Sequence, residues 1–179
     1  MVVFEMINKS TLETERCILR ILKNSDAEDL FKTLGDEDVF KFIPYECYSS
    51  LEMVKEAIEG NFIHRFKEGS ACEFGVELKS NKEIIGICGY IVIDDGLGIL
   101  SYLLNKDYWG NGFMTEIVKS VISYGFSQLD LSRIVAYCMC ENIASKKVLQ
   151  NNGFIYVGDG VMNTNGQSFR MSNYILDKG

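Results

Sequence analysis

Gly110 and Gly112 stand two residues apart in the run Trp109-Gly110-Asn111-Gly112-Phe113-Met114. An apolar strand pattern precedes this run and a helical pattern follows it. A chain leaving a strand and entering a helix there aims several unpaired backbone N–H groups at one point. The helix dipole adds partial positive charge at the same place. The chemistry on offer is anion binding, and the anion expected is a phosphate. The competing reading is a plain tight turn, since glycine takes positive φ at no steric cost. Two familiar phosphate motifs do not apply. No Gly-Lys-Ser/Thr follows, so this is not a Walker loop, and no third glycine completes a dinucleotide fingerprint.

The elements that must position this turn are legible from periodicity. Arg16 to Leu22 reads as a first strand. Ser25 to Thr33 reads as a helix capped by Ser25. Asp36 to Ile43 reads as a short helix stopped by Pro44. Ser50 caps a longer helix, with Val54, Ala57, Ile58, Phe62 and Phe66 on one face. Three strands follow, 71–78, 83–93 and 98–104, joined by short turns into an antiparallel meander. A helix spans 112–128 and a strand 134–140. A short helix over 142–151 ends at Gly153. Strands 154–161 and 169–176 close the chain as a hairpin. The pattern predicts one α/β (α+β) domain over 1–179, with a mixed, mostly antiparallel sheet of about seven strands flanked by helices.

Composition limits the partners. The chain has 179 residues, 47% of them hydrophobic, and a net charge of −7. This balance argues against a nucleic-acid partner and favours approach of a cationic one, such as an amine. No stretch is long and apolar enough to span a membrane, and Met1–Ser10 lacks the apolar core of a secretory leader. The six cysteines form no Cys-x-x-Cys pair, which points away from a metal site and towards a reducing, cytoplasmic setting.

Three segments together resemble the GNAT superfamily of acetyl-CoA-dependent N-acetyltransferases, most closely its ribosomal-protein N-terminal acetyltransferase branch. Leu12 to Arg20 looks like the first strand of that branch. Leu103 to Glu116 looks like its acetyl-CoA motif, and Glu141 to Leu149 with Gly153-Phe154 resembles its second CoA-contacting motif. The resemblance implies acetyl-CoA as cosubstrate, with the pyrophosphate on Gly110, Asn111, Gly112, Phe113 and Met114. Trp109 stands where Gln or Arg is usual, so binding would rest on backbone amides. The likeness also implies a V-shaped splay between strands 98–104 and 134–140. The main-chain groups of Leu103 and Leu104 would then be unpaired and open to the pantetheine arm. Asn142 caps a helix on either reading and, by resemblance, also reaches the CoA arm. Ser145 would lie near that arm. Lys146 and Lys147 read as solvated helix charges or as contacts to CoA phosphates, with Lys147 the one assigned to the cofactor.

Acetyl transfer needs a proton acceptor for the amine, a donor for the oxyanion and a proton for the leaving thiolate. A main-chain N–H near Leu103 or Leu104 suits the oxyanion. Tyr102 either orients the amine or packs in the core. Many relatives carry a Tyr seven residues after the motif Asn, and here that place holds Leu149. Glu73 reads as an exposed strand carboxylate, with a base acting through water as its alternative. His64 and Cys140 read as solvent and packing residues. The expected acceptor is a primary amine on a small molecule or a protein N-terminus, attacked directly in a ternary complex by a monomer or homodimer. The alternative is a non-catalytic acyl-CoA-binding module.

Overall fold

The computed structural model describes residues 11–179, so the reading of Met1–Ser10 lies outside the described residues. The elements are β1 (Leu12–Glu13), β2 (Cys17–Arg20), α1 (Ala27–Leu34), α2 (Glu37–Phe40), α3 (Leu51–Ala57), a π-helical turn (Ile58–Ile63) and α4 (His64–Glu68). Then come β3 (Cys72–Leu78), β4 (Ile84–Asp94), β5 (Leu97–Leu104), α5 (Phe113–Ser127), β6 (Arg133–Met139), α6 (Ile143–Asn151), β7 (Ile155–Thr164) and β8 (Gln167–Asp177). The strands form one eight-stranded sheet in the order β1-β2-β3-β4-β5-β6-β8-β7. The strand beyond the expected seven is the two-residue β1, which pairs with Ile18 and Leu19.

Alternation along the strands sorts side chains onto two faces. On one face Phe74, Tyr90, Leu100 and Leu104 meet Ile117, Val118 and Val121 of α5. On the other, Ile84 and Ile87 meet Leu30 and Leu34 of α1 and Val54 of α3. Ser50 caps α3 as expected, its hydroxyl accepting from the Met53 N–H at 3.3 Å. Ser25 does not cap α1. Asn24–Asp26 form a 3₁₀ turn instead, and the Asp26 carboxylate accepts from the Lys23 N–H at 2.8 Å. That carboxylate is fixed by Arg20, which also binds Glu77, so a tertiary ion pair decides the helix start. The helix expected from Ser50 onward is widened by the π turn at Ile58–Ile63.

Among the described residues only β5 and β6 pair in parallel, over Leu97–Leu100 against Arg133–Ala136. Beyond Leu100, β5 stays with β4 as far as Leu104 opposite Gly86. β6 stays with β8 as far as Met139 opposite Met171. The two strands therefore part, and the expected V opens at the C-terminal end of β5.

Candidate active site

A cavity of about 1130 Å³ opens where β5 and β6 part. That is room for a cofactor arm and a second substrate together. The Asn105 N–H donates to the Ile85 carbonyl at 2.8 Å. Hydrogen bonding alternates along an antiparallel strand, so Leu103 turns its main-chain groups to β4 while Tyr102 and Leu104 turn theirs to the V. A side chain at Gly86 would run into the Leu103 carbonyl, which agrees with this direction. The expectation that Leu103 and Leu104 both present unpaired main chain therefore narrows to Leu104. Leu103 lines the cavity, but its backbone serves the sheet. The Leu104 carbonyl accepts from Trp109 Nε1 at 2.8 Å, which leaves the Leu104 N–H facing the V.

Gly110 and Gly112 have φ of +74° and +76°, and α5 begins at the next residue, Phe113. This is the left-handed backbone that glycine adopts without strain. Trp109, Gly110, Gly112, Phe113 and Met114 all line the cavity. The Asn111 side chain turns away, donating to the Trp109 carbonyl at 2.9 Å, so it closes the turn and leaves any ligand contact to its backbone. Trp109, where a donor side chain was missing, spends its indole N–H on Leu104 and ties the loop to the strand. Sequence reasoning missed a residue that braces this loop from outside: Arg16, whose Nε donates to Glu116 Oε2 at 2.7 Å. Nothing in the local spacing signals it, because the pair is 100 residues apart.

On the far side of the V, Asn142 caps α6, its Oδ1 accepting from the Ser145 N–H at 3.0 Å. The cap occupies the oxygen, so Nδ2 is the end that can donate to a ligand. Asn142, Ser145 and Lys147 all line the cavity. The Tyr102 hydroxyl and Ser145 Oγ lie 2.7 Å apart, closing a hydroxyl pair across the V. Burial pushes the Tyr102 phenol up, so it keeps its proton at neutral pH. Its ring packs with the α5 cluster while Leu103 packs with the α1 cluster, so Tyr102 sits on the α5 side of the sheet and away from the face that α1 covers. Leu149 is fully buried in the core, and no hydroxyl stands at that place.

The opposite face holds the main correction. Glu73 is only 9% exposed and lines the cavity, so it is not the solvated strand carboxylate expected. Register places it beside Gly89 of β4, which faces Ser101 of β5. Burial pushes its carboxyl up to about 7, against a partial opposing pull from Arg65. Arg65 itself donates to the Ile91 carbonyl. The same cavity is lined by Phe40, Phe42, Tyr45, Tyr48 and Phe62. Phe40 and Tyr48 meet edge to face with centroids 6.4 Å apart. Burial and the Glu73 charge both push the Tyr48 phenol up. At the rim, Lys106 holds Asp36 and Asp38, each at 2.9 Å. His64 is exposed and faces Glu68 at 3.3 Å. Cys140 packs against Ser172, 3.4 Å from its hydroxyl. All six cysteines are free thiols. Among the described residues no cluster of His, Cys, Asp and Glu is arranged to hold a metal ion. Nor is any helix among them long and apolar enough to cross a membrane.

Residues 16–155 match the acetyltransferase (GNAT) domain family. The uncharacterized N-acetyltransferase YoaA of Bacillus subtilis is 34% identical over 145 residues, covering 80% of this chain and 81% of that protein. The [ribosomal protein uS5]-alanine N-acetyltransferase of Escherichia coli is 28% identical over 158 residues, covering 83% and 79%. The solved structure of RimL, a ribosomal L7/L12 alpha-N-protein acetyltransferase in complex with coenzyme A, shares the fold. Its TM-score is 0.84 at 19% identity, over 94% of this chain and 98% of that one.

Proposed function

Because the chain belongs to the GNAT acetyltransferase family, we propose that it moves an acetyl group from acetyl-CoA directly to a primary amine, with Glu73 as the base. The observation that carries this is the burial of Glu73 in the cavity wall near the open end of β5. A carboxyl near pH 7 is poised to take a proton from an ammonium group, directly or through one water. The freed nitrogen lone pair attacks the thioester carbon. The carbonyl oxygen takes the negative charge and is met by the Leu104 N–H. The C–S bond then breaks towards the hydroxyl pair of Tyr102 and Ser145, which donates a hydrogen bond to the leaving thiolate while staying protonated. The proton that the nitrogen sheds as the amide forms ends on the thiol, directly or through water. Tyr102 thus serves the leaving group in place of orienting the amine. The backbone of Gly110–Met114 receives the pyrophosphate, and Asn142, Ser145 and Lys147 flank the arm and its phosphates. The domain acts as one unit, in the reducing compartment that its six free thiols suit.

The acceptor wall also favours a class of amine. The cavity lining on this side carries Phe40, Phe42, Tyr45, Tyr48 and Phe62 together with Asp38, Glu46, Asn61 and Arg65, and aromatic faces and carboxylates both attract an ammonium group. An amine on an apolar or aromatic body fits such a wall. A protein alanine, the acceptor of the Escherichia coli relative by its name, is the competing class, because Asp38, Glu46, Asn61 and Arg65 also line the cavity and offer polar partners.

Acetyl-CoA-dependent thiol release with three acceptors tests the reading: 2-phenylethylamine, spermidine and an alanine-initiated peptide. The expected order has 2-phenylethylamine first, with sequential initial-rate kinetics. Preference for the peptide would replace the acceptor class. Parallel double-reciprocal lines with an acetylated cysteine would replace direct transfer. Acetyl-CoA binding without turnover on any amine would leave the acyl-CoA-binding module.

A further inference from the structure

The opening segment Leu12–Arg20 meets the glycine turn through Arg16. We infer that its Arg16 is the positioning residue of the phosphate loop, setting the affinity for the nucleotide end of the cofactor. The inference rests on the reading that Gly110–Met114 receives the pyrophosphate.

One residue fastens the loop at several points. The Arg16 backbone N–H donates to Glu116 Oε1 at 2.9 Å and its Nε donates to Oε2 at 2.7 Å. Its Nη1 donates to the Asn111 carbonyl at 2.9 Å. The guanidinium carbon lies 3.9 Å from the centroid of the Phe113 ring. These contacts bracket Gly112 on both sides, and Nη2 lies 3.8 Å from where a Cβ on Gly112 would stand. The loop has left-handed backbone at two positions, so it has other conformations open to it as a free segment. Fixing it in advance removes that ordering cost from ligand binding.

Charge gives the second reason. Glu116 sits in the first turn of α5. There a carboxylate suits the helix dipole, but it also stands beside the proposed site of a pyrophosphate. Burial works against its charge, yet hydrogen bonds from Thr14 and Arg16 outweigh burial and hold the carboxyl below its usual range. It is therefore ionised at neutral pH, and Arg16 is its counter-charge. Without Arg16, the Glu116 carboxylate stands uncompensated in the first turn of the helix whose N-terminus would meet the phosphates. The fork of the guanidinium is needed for this geometry, because a single ammonium cannot reach Glu116, the Asn111 carbonyl and the Phe113 face together.

The test compares two acetyl donors, acetyl-CoA and S-acetylpantetheine, which carries the same thioester arm without pyrophosphate or nucleotide. The readout is the ratio of kcat/KM for the two donors. In Arg16→Gln the ratio is expected to fall roughly tenfold or more, through KM for acetyl-CoA. Arg16→Lys is expected to fall between it and the parent, and serves if the Gln variant does not fold. Adding Glu116→Gln to Arg16→Gln is expected to recover part of the loss, since it removes the repulsion. An unchanged ratio in both variants, whatever the absolute rates, overturns the inference and reduces Arg16 to a fold contact. If the parent protein itself shows no preference for acetyl-CoA, the phosphate assignment fails first and the inference falls with it.

Discussion

Between Leu104 and Met114 the cavity is lined at two glycines, which offer main chain alone, whereas between Val39 and Glu73 no glycine lines it and the lining is mostly large or charged side chains. The first region needs only the right φ at Gly110 and Gly112 and a strand that loses its neighbour. On the proposed reading backbone amides do the binding, so Trp109 can stand where a polar side chain is usual. The second region combines aromatic rings with polar and charged side chains and one buried carboxyl, Glu73, so its chemistry changes with each substitution. One scaffold can therefore keep its donor and vary its acceptor.

The sharpest way to separate the two halves is Glu73→Gln. Turnover should fall by roughly 10²–10⁴, the usual worth of a general base, while calorimetry should show acetyl-CoA binding within about twofold of the parent. The pH profile adds a second readout. With a carboxyl near 7, kcat/KM should rise with pH through a limb near 7, and Glu73→Gln should lose that limb. Equal damage to donor binding and turnover would break the division between the halves.

Gly112→Val attacks the other half. A β-branched residue at φ +76° is strained, and its methyls crowd the amides that face the ligand. Acetyl-CoA binding by calorimetry should weaken by roughly 10–100-fold in a folded variant. Normal binding there would remove the phosphate assignment. Asn142→Asp should be milder. Asp caps a helix as well as Asn does, so melting without ligand should stay near the parent value. The carboxylate has no N–H to donate, so acetyl-CoA binding or turnover should drop by about tenfold. If melting, binding and turnover are all unchanged, Asn142 is a cap alone.

The smallest effect concerns stability. The Glu73 carboxyl is raised in the folded protein to about 7 from an ordinary 4.5. Below about 4.5 both states hold the proton and the group contributes no penalty. As pH rises from about 4.5 to about 7 the unfolded chain releases its proton first, so stability falls over that window and stays reduced above it. Glu73→Gln should therefore be more stable than the parent at pH 8, by on the order of 1 kcal/mol after allowing for the buried amide. At about pH 4 the two should match. Denaturant midpoints at both pH values check the sign, and an equal difference at both would point to packing and not to charge.

Much of the cofactor half was legible because its cues are local. Gly-x-Gly before a helix and Asn142 at a helix start each act within a few residues. The acceptor half was not legible in the same way. Glu73 sits in an apolar strand of alternating pattern, and alternation alone sends it to a face without saying whether water or α1 and α3 cover that face. Tyr102 was placed on the right strand, but the side of the V it serves depends on strand parity and on Ser145. Arg16 and Glu116 meet only when β2 and α5 are packed. The start of α1 was misread for the same reason, since Arg20 and Glu77 fix Asp26 and displace Ser25 as the cap.

The sequence by itself determined the order of strands and helices, the glycine turn, and the break that lets β5 end in a helix. These follow from periodicity and from backbone preferences that each residue carries with it. Only the tertiary structure decided which carboxyl is dry, which main-chain N–H faces the V, and which distant arginine braces the loop. Dehydration and charge pairing are properties of what surrounds a group, and those surroundings come from segments far apart in the chain.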